Sequence, residues 1–274
     1  MVDNAQFSPQ GLSSSYRWAG YTLGFSIGGF FDGILLHQVL QWHHLLAGLE
    51  GGRFDDLRFQ ILADGLFHVI MYVVGGVGLW LLWRSRGEFG LPKADRLLVA
   101  NALVGFGAWH MLDGVASHWV LQIHWIKMDS DVPLVWDIFW FVVFGVAFVA
   151  WGWLLKPKGP THGTKIPVAP AAVAALALLT GTGALFPPNR LNDAATVVVF
   201  APGITPAQAM TATIEAGGKL IWSDKNDGVW AIELPDGADR MALYRGGALL
   251  VSDTLLPVGC LNWMEKPSNP GQEA

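Results

Sequence analysis

Asp32–His43 reads DGILLHQVLQWH, and Asp113–His124 reads DGVASHWVLQIH. Both fit D-G-x-x-x-H-x-V-L-Q-x-H, with seven of twelve positions identical at a spacing of 81 residues. Gly24-Phe25 and Gly105-Phe106 extend the match at the same spacing. Four of the shared residues are Asp, His, Gln and His, types that apolar helices rarely carry. The pattern therefore reads as a duplicated two-helix unit. Two helices per unit is an even number, so both copies keep one orientation, and a pseudo-two-fold axis along a membrane normal follows.

The flanking sequence makes these membrane helices. Of 274 residues, 52% are hydrophobic and 14% charged, against about 25% charged in an ordinary soluble domain. Fourteen Trp against four Tyr suit a bilayer, where Trp collects at the interfaces. A net charge of −5 offers no basic surface for nucleic acid. The single cysteine, Cys260, allows no internal disulfide and no CxxC or zinc-ribbon spacing. The polar opening residues lack the apolar core of a signal peptide.

A membrane-crossing helix needs about 20 mostly apolar residues. Five stretches qualify, over 18–44, 59–83, 97–125, 134–155 and 166–186. The expected organisation is a short N-terminus (1–17), a four-helix bundle (18–156), a loop with an Ala-rich anchor helix (157–186) and a tail (187–274). The fold class is thus an all-α membrane bundle followed by a small α+β domain.

Basic residues concentrate on one side of these spans. Arg84, Arg86, Lys93 and Arg96 lie in the second loop, Lys156, Lys158 and Lys165 follow the fourth span, and Arg17 precedes the first. The other loops carry Glu50, Asp55, Asp56, Asp129 and Asp131 beside fewer cations. The positive-inside rule puts the N-terminus in the cytoplasm and the acidic loops and C-terminal tail in the periplasm of a bacterial inner membrane. The tail alternates apolar strands and short helices: strands at Ala195–Phe200, Lys219–Trp222, Val229–Leu234 and Ala248–Ser252, and helices at Thr205–Ala216 and Ala238–Tyr244. The order β-α-β-β-α-β predicts a ferredoxin-like sandwich, which implies no chemistry by itself.

At 1.5 Å per residue, His37 and His118 lie roughly 10 Å below the outer ends of their helices, with Asp64 about 8 Å down its own. Asp32, His68 and Asp113 lie deeper, and Asp137 shallower. Charged side chains cost about 2.5–3.5 kcal/mol each at a helix centre, so this set must be paired, solvated or bound to an ion. Carboxylate and imidazole without sulfur suit copper, iron, zinc or manganese. The expected metal set is Asp32, His37, His43, His44, Asp64, His68, Asp113, His118, His124 and Asp137. Asp32 and His37 are five residues apart, about 140° around an α-helix. Either Gly33 and Gly114 mark bends, or the Asp residues orient imidazoles from behind.

The DG-x3-H-x2-LQ-x-H helix, the following DG-x2-H helix (Asp64–His68) and the Trp136-Asp137 helix together resemble a family of predicted bacterial inner-membrane proteins, catalogued as domain of unknown function 2243. The resemblance covers about residues 18–156 and leaves the tail outside. It implies a multi-pass bundle and carries no activity. The family's members look like neighbours of respiratory-oxidase assembly proteins, which points toward copper or haem biology. The family's third helix often has paired histidines; here His124 is followed by Trp125.

Each residue also has a plainer explanation. A single His37 or His118 is explained by a hydrogen bond to Asp in a packed bundle; the symmetric pair, with His68 near in depth, favours ligation. His43, His44 and His124 are equally interfacial imidazoles or ligands. His110 lacks a counterpart at Gly29 and reads as a buried hydrogen-bonding group or an axial haem ligand. The helix dipole alone favours Asp137 near a helix start. His162 reads as a solvated loop residue and Cys260 as a small buried one. Three function classes remain: a metalloprotein doing redox or oxygen chemistry, a haem protein with His37 and His118 as axial ligands, and a non-catalytic metal-handling or respiratory-complex assembly subunit that docks through its tail.

Overall fold

The computed structural model describes residues 11–40, 42–157, 167–185, 195–235 and 237–252; Gln41, His162 and Cys260 lie outside them. Four helices are long and apolar enough to cross a membrane. They are α1 (Ser14–Val39), α2 (Leu57–Arg84), α3 (Ala94–Val120) and α4 (Pro133–Leu155), of 26, 28, 27 and 23 residues. The expected fifth span is the shorter apolar helix α5 (Ala169–Leu185), of 17 residues. The tail forms strands β1 (Ala195–Phe200), β2 (Lys219–Ser223), β3 (Val229–Glu233) and β4 (Ala248–Ser252), with helices α6 (Pro206–Glu215) and α7 (Arg240–Arg245).

α1 and α3 end earlier than the sequence pattern predicts. Both change from α to π winding at the glycine of their Asp-Gly pair, over Gly33–Val39 and Gly114–Val120. They then stop, leaving His43, His44 and His124 in the loops beyond. After α3, Gln122 takes a left-handed conformation (φ 51°), which non-glycine residues adopt rarely.

Two compact units can be distinguished. The first gathers Met1–Asp32, His68–Ala116 and Asp137–Thr182. In it α1 and α3 meet backbone to backbone. A Cβ on Gly24 would lie 1.9 Å from the Ala102 carbonyl oxygen, and one on Gly105 would lie 2.1 Å from that of Tyr21. α3 meets α4 similarly, through Gly107 against Gly145 and Gly152 against Ala100. Small residues that admit such approach are how helices associate where lipid removes the hydrophobic drive. Tyr16, Ala19, Leu23, Ile27, Leu82, Leu98 and Val173 close the core. Outward, α2 and α4 expose Val73, Trp80, Trp83, Ile138, Phe139 and Val142, an apolar surface suited to acyl chains.

The second unit gathers Gly33–Phe67, Ser117–Trp136 and Gly183–Ala274. Its antiparallel sheet has the order β2-β3-β1-β4, with Val198 opposite Trp230 and Thr196 opposite Ile232. Strand side chains alternate between faces. Val198, Phe200, Trp230 and Ile232 pack under Ala209, Ala212, Ala242 and Leu243 of α6 and α7. On the opposite face, Val197, Val199 and Val229 bury Leu57 at the start of α2. α6 starts with a capping box between Thr205 and Gln208. Asp224 organises the β2–β3 turn by accepting from the Gly228 and Val229 amides at 2.6 and 2.7 Å.

Candidate metal centre

The second unit brings five imidazoles and a carboxylate together. His37 comes from the π turn of α1, His43 and His44 from the loop after it, and Asp64 from α2. His118 comes from the π turn of α3 and His124 from the following loop. All five histidines are at most 5% exposed.

The two loops are fastened by backbone. The Gly48 amide donates to the Ile123 carbonyl at 2.6 Å, and the Met128 amide donates to that of Trp42 at 3.1 Å. A Cβ on Gly48 would lie 2.9 Å from the Gln122 and Ile123 carbonyl oxygens, so glycine is needed there. Two imidazoles are fixed by the same loops. His43 Nδ1 lies 2.9 Å from the Ile126 carbonyl oxygen, and His124 Nδ1 lies 2.8 Å from that of Leu45. A carbonyl only accepts, so each Nδ1 carries the proton and each Nε2 keeps its lone pair for an ion. Burial first, then the neighbouring imidazoles of His124 and His37, holds His43 well below the usual imidazole pKa. It is therefore neutral, as a ligand must be.

Asp64 anchors the other pair. Its carboxylate lies 3.3 Å from His37 Nδ1 and 2.5 Å from His44 Nδ1, and it accepts the Leu45 amide at 2.8 Å. A carboxylate behind an imidazole fixes the ring and raises its basicity. The sequence pattern placed Asp64 among the metal-binding residues; the structure places it against two Nδ1 atoms.

The rings pack closely. His37 meets His43 edge to face, with centroids 4.7 Å apart and planes at 72°, and His118 meets His124 at 4.6 Å and 69°. His43 and His124 stack at 4.4 Å and 12°. The edge-to-face pairs, the π turns and the carbonyl acceptors recur 81 residues along the chain, whereas the Asp64 contacts do not: Trp125 and Gly145 stand at the positions matching His44 and Asp64. The π turns start at Gly33 and Gly114. The turn-closing bonds run from Trp42 to Leu36 and from Ile123 to Ser117. The carbonyl acceptors exchange, Ile126 for His43 and Leu45 for His124.

π winding also resolves the five-residue spacing. A π turn bonds residue i to i+5, so residues five apart approach one face. On α3 and its following loop, Asp113, His118 and His124 offer ligand atoms all within 4.8 Å of one another, and all three are buried. This Asp/His/His group can hold a metal ion.

The remaining expected residues lie in the first unit. Asp32 and Asp137 are buried. His68 stacks on Phe30 at 6.3 Å and 17°. His110 donates from Nδ1 to the Phe106 carbonyl at 2.9 Å and sits among Phe31, Phe106, Trp140 and Phe144. The sequence did not reveal the carbonyl acceptors Leu45 and Ile126, or the stacking of His43 on His124. The shared terminal His of the repeat was the one signal for them.

Comparison with known proteins agrees with this architecture. The family described as "Predicted membrane protein (DUF2243)" matches residues 19–159. The chain belongs to that family. The match covers α2, α3, α4, all but the first turn of α1, and both histidine loops. No curated protein and no solved structure matches the chain.

Proposed function

We propose that this DUF2243 protein is a membrane metalloprotein whose buried imidazole cluster holds transition-metal ions for redox or oxygen-linked chemistry. The observation that carries the reading is the protonation pattern of the cluster. His43 and His124 each spend Nδ1–H on a backbone carbonyl, and His37 and His44 direct Nδ1 at Asp64. The Nδ1 atoms of three rings, His43, His44 and His124, are thus fixed by hydrogen bonds that leave Nε2 as the ligating nitrogen, the arrangement that orients metal-binding histidines elsewhere. Imidazole and carboxylate without thiolate suit copper(II), iron, zinc or manganese, and such ions supply electron transfer, oxygen binding or Lewis acidity.

Close ring packing favours compact ions over haem between His37 and His118, because each ring already has a second imidazole beside it. Exchange of reciprocal contacts at a spacing of 81 residues supports duplication of a two-helix unit. The order β2-β3-β1-β4 supports a ferredoxin-like tail, and the loop charges support a cluster near the periplasmic surface.

Elemental analysis and an optical spectrum of detergent-purified full-length chain test the reading. Stoichiometric copper, iron, zinc or manganese without a Soret band is the expected result. A Soret band lost in His37→Ala would replace it with the haem reading. Absence of any transition metal, even after incubation with each ion, would overturn it.

A further inference from the structure

We propose that the cluster holds two metal ions, one for each half of the repeat: His37 with His43, and His118 with His124. This rests on the metalloprotein reading and adds nuclearity to it. An imidazole lone pair lies in the plane of its ring, so two rings share an ion only where their planes intersect near both ligand atoms. A metal–nitrogen bond of 2.0–2.1 Å puts the ion about 3.2 Å from the ring centroid. Two such rings on one ion, about 90–110° apart, then have centroids roughly 4.5–5.2 Å from each other. The edge-to-face pairs meet both conditions, at 4.7 Å and 72° for His37–His43 and 4.6 Å and 69° for His118–His124.

The stacked pair fails the first condition. His43 and His124 lie 4.4 Å apart with planes only 12° from parallel, so no ion close to both rings lies in both planes. Each Nδ1 is held by a carbonyl, which prevents either ring from turning to a shared ion through its other nitrogen. His43 and His118 are 6.4 Å apart at the centroids, a separation that one ion meets only with the two rings on opposite sides of it. The stacked rings therefore separate two ions, with Asp113 grouped with the second pair. Four neutral imidazoles do little to balance two divalent cations, so small oxygen anions such as hydroxide are the exogenous ligands this centre takes.

Titration of chelator-stripped, detergent-purified full-length chain with Co2+ tests the arrangement, read by visible absorbance and equilibrium dialysis. Two Co2+ per wild-type chain are expected. One each should remain in His43→Ala and His124→Ala, and none in the double variant. His37→Gln and His118→Gln repeat the test from the other ring of each pair should an alanine variant lose helicity. One Co2+ per wild-type chain, or loss of both ions from a single variant, overturns the two-ion centre while leaving the metalloprotein reading standing. No Co2+ bound by the wild type overturns the two-ion centre, and the metalloprotein reading falls with it only where copper, iron, zinc and manganese are absent as well.

Discussion

Asp64 is where carboxylate and imidazole chemistry meet most tightly, because two Nδ1 atoms and the Leu45 amide converge on one side chain. Asp64→Asn keeps the shape and removes the charge. Loss of an orienting carboxylate of this kind costs about 10–100-fold in metal affinity. Competition of the purified variant with a chromophoric chelator for Zn2+ should show a loss in that range with unchanged stoichiometry. Loss of an entire equivalent would make Asp64 a ligand. The sequence already marked this residue as an acid expected among the imidazoles. Its position behind the rings was not legible, because an Asp-x3-His spacing on α2 does not reveal which neighbouring loop folds onto it.

Among the elements, the contact between α1 and α3 depends on Gly24 and Gly105, whose missing Cβ atoms would meet backbone rather than movable side chains. Gly24→Ala and Gly105→Ala should each destabilise the bundle by about 1–3 kcal/mol or more, as overpacking does. Gly76→Ala, with open space around the position, should be neutral or gain up to about 1 kcal/mol from helix propensity. Thermal unfolding by circular dichroism in detergent reads all three. The four long helices were legible from apolar length alone. The π turns were not. An Asp and a His five residues apart diverge on an α-helix, and only the glycine between them marked where the winding widens. For the same reason the helices were expected to continue to His44 and Trp125, although they end at Val39 and Val120.

Across the whole molecule, the tail strands and helices fell almost where the sequence pattern put them. What alternation could not say is what covers the second sheet face. Val197, Val199 and Val229 close over Leu57, and the Asn226 side chain donates to the Asp55 carbonyl at 3.4 Å. Leu57→Asp should uncover that face, and limited proteolysis of the full-length variant should cleave the tail faster than in the wild type; equal rates would mean that the contact contributes nothing. The charge asymmetry of the loops predicts that reporter fusions after residues 90 and 160 read cytoplasm, and those after residues 55 and 130 read periplasm. The reverse pattern would move the cluster to the cytoplasmic side. Ligation by imidazole nitrogen is read by X-ray absorption at the metal edge of the purified chain. Nitrogen or oxygen neighbours at about 2.0–2.1 Å with imidazole multiple scattering are expected. A first shell containing sulfur at about 2.3 Å, or one without imidazole scattering, would contradict it.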